Sequence, residues 1–273
     1  VTTINSTAYS RDLGDELRRM RQRFTGLRGR GLATQLGWDP SKVSNMEHGK
    51  IRATEIDLAQ YLAACGKDID FIEDFFRRYR NAFDPYLAQT PDNLRTLLLT
   101  EASATKITSY DIVAVHSLLQ TPAYARALQA ATHEDSAMDC DRQAVMRRPA
   151  SPECVFYLHE IALRMRLGGV QVMHEQHTKL LAHANIVRIV PLEATTAAFQ
   201  SKCTLFEFEK ATPIVYAESG HAKVFAQDEA AVDRAEKLFD LLDSVALDEE
   251  RTRRKLTEYT SQLAPVHALT SRQ

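Results

Sequence analysis

The chain has little of what marks an enzyme, a metal site or an exported protein. Four cysteines stand among 273 residues (Cys65, Cys140, Cys154 and Cys203), and none lies within metal-ligand spacing of another. Reduced thiols of a cytoplasmic protein, most of them in the core, are the expectation. No run approaches the roughly eighteen apolar residues that a membrane helix requires. The first residues are polar and then charged, without the apolar stretch of a signal peptide. No glycine-rich loop is placed to cradle phosphate, and no nucleophile elbow is present. No catalytic machinery, no cofactor and no membrane association are therefore expected. The low net charge of −2 hides an asymmetry. Residues 1–55 hold ten Lys/Arg against six Asp/Glu, a balance of +4 that leaves −6 for the rest. A basic head on an acidic body suits phosphate binding by the head alone.

What is present is concentrated between Gly31 and Gly49. Leu32, Ala33 and Leu36 share one side of a short helix, and Gly37 supplies the permissive backbone for a tight exit. Asp39 can N-cap a second helix with Pro40 at its first position, where no N–H is missed. Val43 and Met46 then point inward together, leaving Ser41, Lys42, Ser44, Asn45 and His48 outside. Two short helices with a buried seam and a polar outer face describe a helix-turn-helix, whose second helix enters the major groove. A helical hairpin without function is the plain alternative. The run Lys42-Val43-Ser44-Asn45-Met46-Glu47-His48-Gly49-Lys50 resembles the end of the Cro-repressor (XRE-type) motif. Where that family usually has Thr or Ser, this chain has Arg28, and Gly29-Arg30 replaces a polar pair. A side-chain cap is thereby lost and two cations are gained.

The groove-facing set is Asp39, Pro40, Ser41, Ser44 and Asn45. Serine can contact either base type, asparagine can pair with adenine, aspartate can accept from cytosine, and proline offers an apolar contact. Arg28, Arg30, Lys42, His48, Lys50 and Arg52 are the phosphate candidates. Trp38, the sole tryptophan, is expected to pack at the turn rather than stack on a base.

Around this motif, residues 1–9 read as a loose arm. Leu13, Leu17, Met20 and Phe24 give a first helix from about Ser10, with Arg18, Arg19, Arg21 and Arg23 on its outer face. Thr54 caps a fourth helix, and a fifth runs from Asp70 to about Ala82. The segment 83–91, with two prolines and little periodicity, reads as a linker.

Beyond it the texture becomes α+β. Thr90-Pro91 and Thr121-Pro122 are helix starts, 107–115 is strand-like, and 136–146 reads as a charged helix. Strand runs fall at 154–159, 186–191, 203–209 and 214–218, the last two forming a hairpin across 210–213. Helices fill 160–167, 170–184, 228–246 and 248–263. His174, His177 and His183 share one helix with Glu175, but the order is not that of a zinc protease. A solvated helix face explains them better. His159, Glu160, Arg164 and Arg166 are either pocket residues or a strand end followed by a helix start; the second is the simpler reading.

The fold class is thus mainly α: a five-helix helix-turn-helix domain (1–82), the linker, an α+β regulatory or dimerisation domain with a small mixed sheet (92–265) and a tail (266–273). Ser117 to Leu128 with its LLQTPAYARAL core, Arg147-Arg148-Pro149 and His159-Glu160-Ile161-Ala162-Leu163-Arg164 resemble the C-terminal domain of actinobacterial WhiJ-like regulators. That resemblance implies a transcription factor and a small BldB-like partner protein. The expectation is a homodimer binding double-stranded DNA at an inverted-repeat operator, regulated through the second domain. The alternative is an antitoxin-like adaptor that chiefly binds a partner.

Overall fold

The computed structural model describes residues 6–90, 93–132 and 141–263. Five helices come first: α1 (Ala8–Phe24), α2 (Gly29–Leu36), α3 (Pro40–Glu47), α4 (Glu55–Ala64) and α5 (Ile69–Tyr79). Local chemistry sets their starts. Thr7 with Ser10, and Thr54 with Asp57, form capping boxes, while Asp39 and Asp68 cap α3 and α5. Arg28 precedes α2 without a side-chain cap. The chain from Thr7 on is not a loose arm: the Thr7 hydroxyl donates to the Ala82 carbonyl, and Ala8 belongs to the core of the second domain. Residues 1–5 lie outside the described ones.

The head's core gathers Leu13, Leu17, Leu32, Val43, Met46, Leu58 and Phe75. Where α1 crosses the end of α3, backbones touch. A Cβ on Gly14 would lie 2.7 Å from the Glu47 carbonyl oxygen, and Gly49 sits at φ +63° against Ser10.

The body continues as β1 (Tyr86–Gln89), α6 (Arg95–Ser103), β2 (Lys106–Asp111), a 3-10 turn (Ser117–Leu119), α7 (Pro122–Thr132), α8 (Ala144–Arg147) and β3 (Glu153–His159). Then come α9 (Ile161–Arg164), α10 (Val170–Ala182), β4 (Val187–Val190), α11 (Thr195–Ala198), β5 (Cys203–Glu207), β6 (Ile214–Glu218), β7 (Lys223–Ala226), α12 (Glu229–Val245) and α13 (Glu249–Gln262). The strands make one mixed sheet in the order β1-β7-β6-β5-β2-β3-β4. β2, β3 and β4 are parallel, and the remaining pairs are antiparallel. Side chains alternate across it, as the two-residue strand period requires. Ile107, Phe156, Leu158, Val187 and Ile189 face the core shared with α6, α10 and α13, whereas Tyr110, Tyr157 and Val190 face α12. The chain is therefore an all-α head joined to an α+β body.

Several elements differ from expectation. The segment 83–91 is not free chain, because Tyr86–Gln89 pairs antiparallel with β7 and closes one edge of the sheet. β7 itself is too short and too close to glycine and serine to stand out by pattern. Helix α6 starts at Arg95 rather than at Thr90, and Pro91 lies outside the described residues. Of the charged helix expected over 136–146, residues 136–140 lie outside the described ones and the rest gives only α8. α9 holds four residues where eight are expected, ending before the Gly168-Gly169 turn.

Head and body are docked. The Arg95 guanidinium reaches Asp12 at 2.8 Å, Glu16 at 3.0 Å and Asp15 at 3.3 Å, all on α1, and the Thr96 hydroxyl donates to Asp12 at 2.7 Å.

Candidate nucleic-acid interface

The second helix of the motif is held by its buried side. Val43, Met46 and Glu47 point inward, packed against α1 and α2. A carboxylate in that stripe needs compensation. Arg21 supplies it with a two-pronged contact to Glu47 at 2.6 and 2.7 Å, and the Tyr61 hydroxyl donates to the same carboxylate at 2.7 Å. The Glu47 bond is the main reason the Arg21 guanidinium holds its proton more tightly. Burial, reinforced by Glu47, raises the Tyr61 hydroxyl. Arg21 is thus not on the outer face of α1. It lies four residues after Leu17, on the apolar stripe, as Glu47 lies four after Val43. Opposite charges, each placed on a helix's apolar stripe, are the signal by which the sequence could have shown this pair.

The opposite side of α3 is open. Asp39, Pro40, Ser41 and Ser44 are exposed and Asn45 is half-buried. Ser41, Ser44, Asn45 and His48 lie at i, i+3, i+4 and i+7 and so form one stripe. Asp39 accepts the Ser41 N–H at 2.7 Å, and hydrogen bonding from Ser41 holds its carboxyl below the usual range. The end of the helix is turned by Gly49, with the Lys50 N–H donating back to the Asn45 carbonyl at 2.9 Å.

The phosphate candidates divide. Arg28, Arg30 and Lys50 are exposed and have no acidic partner among the described residues. The other three are engaged within the protein. Lys42 is 2.6 Å from Asp57 and 4.2 Å above the Trp38 ring. Burial raises the Asp57 carboxyl, but the bonds from Lys42 and Thr54 outweigh it and hold it low. His48 Nδ1 is 2.6 Å from the Ser44 carbonyl. Arg52 lies 5.4 Å over the Phe83 ring and 3.9 Å from Asp84. Trp38 packs against the head's core at the turn between α2 and α3.

The body holds two further groups of charged side chains. At the end of β3, the buried Glu160 carboxylate takes Arg164 and Lys255, each at 3.1 Å, and the Tyr259 hydroxyl at 2.6 Å. Burial alone would raise it, but these donors pull it down to about 2. At the end of β2, Asp111 accepts from Ser109 at 3.0 Å beside His116, Arg142 and Tyr216. Burial pushes Asp111 up to about 7 and His116 down to about 3. Sequence pattern does not single out this second group, because its members come from separate stretches of chain. His177 is fully buried and lowered to about 4 by burial, edge-on to Tyr259, so it does not share a solvated face with His174. Among the described residues no three His, Cys, Asp or Glu side chains are grouped to hold a metal ion, and no helix is long and apolar enough to cross a membrane.

Residues 12–72 match a family described as a helix-turn-helix domain, and residues 94–258 match one described as a domain of unknown function, DUF5753. No curated protein and no solved structure matches the chain.

Proposed function

The chain belongs to the DUF5753 family and carries a helix-turn-helix domain at its head, and from this premise we propose a sequence-specific regulator of transcription. In this reading α3 lies in the major groove and two copies read the half-sites of an inverted repeat. The observation that carries it is the two-sidedness of α3. Its inner stripe is locked by Arg21, Glu47 and Tyr61, while Ser41 and Ser44 are exposed with Asn45 half-buried beside them, and Arg28, Arg30 and Lys50 are exposed without an acidic partner among the described residues. Serine and asparagine read base edges, and the cations hold the backbone. Lys42, tied to Asp57, would first have to give up that partner, which makes it a weaker phosphate contact than Arg30.

Control by the body has a structural route in α6. Its first turn grips α1 through Arg95 and Thr96, and its last turn carries Glu101, which is buried and paired with Arg142 of the body. Any event that shifts α6 acts on the helix that crosses α3. The head is taken as residues 1–82 and the body as 92–265. The kinship with XRE-type and WhiJ-like regulators, the homodimer and a small BldB-like partner as the input belong to the same proposal.

Selection of genomic fragments by the purified protein across salt concentrations tests it. A short inverted repeat that persists at near-physiological salt is expected. Recovery of random fragments that vanish as salt rises would leave only phosphate attraction and favour the adaptor role. On the recovered site, Asn45→Ala should cost about 1–3 kcal/mol and relax the sequence preference, whereas Arg30→Ala should weaken cognate and scrambled DNA alike. Equal losses on both DNAs from both variants would remove Asn45 from base reading.

A further inference from the structure

The face of the body built by α9, α10 and α13 carries a cavity of about 330 Å³. That is within the size range of small-molecule sites. Its lining is of two kinds. The apolar part consists of the buried Leu163 and Met173 and of Met165 and Val170, each about half exposed. Methionine side chains of this sort adapt to irregular apolar ligands. The other part is cationic and consists of Arg164, Lys255 and Arg166.

The charge count of the cationic part is uneven. A single buried carboxylate, Glu160, anchors both Arg164 and Lys255 at 3.1 Å, and Tyr259 bridges Glu160 and Arg164 at 2.6 and 2.9 Å. This network fixes two cations with one anion. Arg166 adds a third positive charge and has no acidic partner among the described residues. Glu258, at the rim beside Gln262, is the one acid among the lining residues. The lining with Glu160 therefore keeps an excess of one positive charge next to exposed apolar surface. Preset cations beside apolar side chains in one cavity are complementary to a molecule with a negative head and an apolar body.

We propose that this cavity binds a small amphipathic oxyanion, its carboxylate or phosphate head on Arg164, Lys255 and Arg166 and its hydrocarbon body on Leu163, Met165 and Met173. The proposal gives the ligand class for the body. It rests on the regulatory reading for what binding achieves, though not for binding itself.

Calorimetric titration of the full chain with octanoate, octyl phosphate and octan-1-ol tests it. Saturable binding of one octanoate or octyl phosphate per chain is expected, with octan-1-ol at least tenfold weaker. The tighter of the two anions identifies the head group. Arg166→Glu should weaken anion binding at least tenfold, Arg166→Lys should retain most of it, and Met165→Trp should obstruct the cavity. These positions are exposed and lie outside the Glu160 network, so circular dichroism should show unchanged unfolding. Absence of saturable binding, equal affinity for octan-1-ol, or unaltered binding by Arg166→Glu would overturn the proposal. No DNA enters this titration, so its failure would leave operator recognition standing, and random fragment recovery would leave the titration result intact.

Discussion

Head and body share the buried ion pair, Arg21–Glu47 in one and Glu101–Arg142 in the other, but differ in the charge they leave at the edges of the fold. In the head, one buried triad, Arg21, Glu47 and Tyr61, joins three helices, and every charged partner is satisfied by direct contact at 2.6–2.7 Å. In the body the Glu101–Arg142 pair is buried and direct too, but two further groups sit in clefts at strand ends. There Glu160 is oversupplied with donors, while Asp111 has a hydroxyl but no cation in contact among the described residues. The head's arrangement ties α1, α3 and α4 together at one carboxylate. The body's arrangement leaves Asp111 buried on a single hydroxyl and gathers several donors on Glu160.

The most severe way to break that contrast is Glu47→Ala. It leaves the Arg21 guanidinium buried without its partner, and loss of about 3–5 kcal/mol of head stability is expected. Trp38 is the only tryptophan and lies in the head, so its fluorescence reports head unfolding, while far-UV circular dichroism tracks the whole chain. The fluorescence transition should move to lower denaturant ahead of the rest. A change confined to the body's transition would contradict the role given to the triad.

A smaller effect sharpens the body's side. Asp111 has a folded-state value raised by burial to about 7, against about 4 for an unfolded aspartate. The folded body therefore holds the proton that the unfolded chain releases. Its contribution to stability is fully present below about pH 4 and is lost as pH rises toward 7. Asp111→Asn should flatten that slope in thermal unfolding monitored by circular dichroism, with the Trp38 transition unmoved. A slope that survives the substitution would locate the titrating group elsewhere.

The smallest expected effect concerns the joint between the two. Arg95 is about one-third exposed, so Arg95→Ala should cost only about 1–2 kcal/mol after solvent screening is allowed for. Its sign is more telling than its size. The head and body transitions should separate in a melt read by fluorescence and circular dichroism together. If they stay superimposed, the docking rests on Thr96, the Ala8 N–H bond to Gln227 and the packing of Ala8 instead.

The unequal legibility of the two regions has the same origin. The starts of α3, α4 and α7 can be read because Asp39, Thr54 and Thr121 act on N–H groups two or three residues away. The β5–β6 hairpin is legible for the same reason. Strand β1 is not, because its partner β7 lies well over a hundred residues further along the chain and nothing in 86–89 announces it. The outward residues of α3 come from helical period alone. The engagement of Lys42 with Asp57 does not, since it depends on how α4 is set against α3.

Periodicity and capping act within a few residues, and they are enough to specify the helix-turn-helix, the polar stripe that α3 presents and the α+β character of the body. The strand order, the burial of Arg21 with Glu47, the grip of Arg95 on α1 and the cavity beside Glu160 are set at the level of the closed fold. Each of these brings together groups far apart in the chain, and no local rule fixes the distances at which their charges meet.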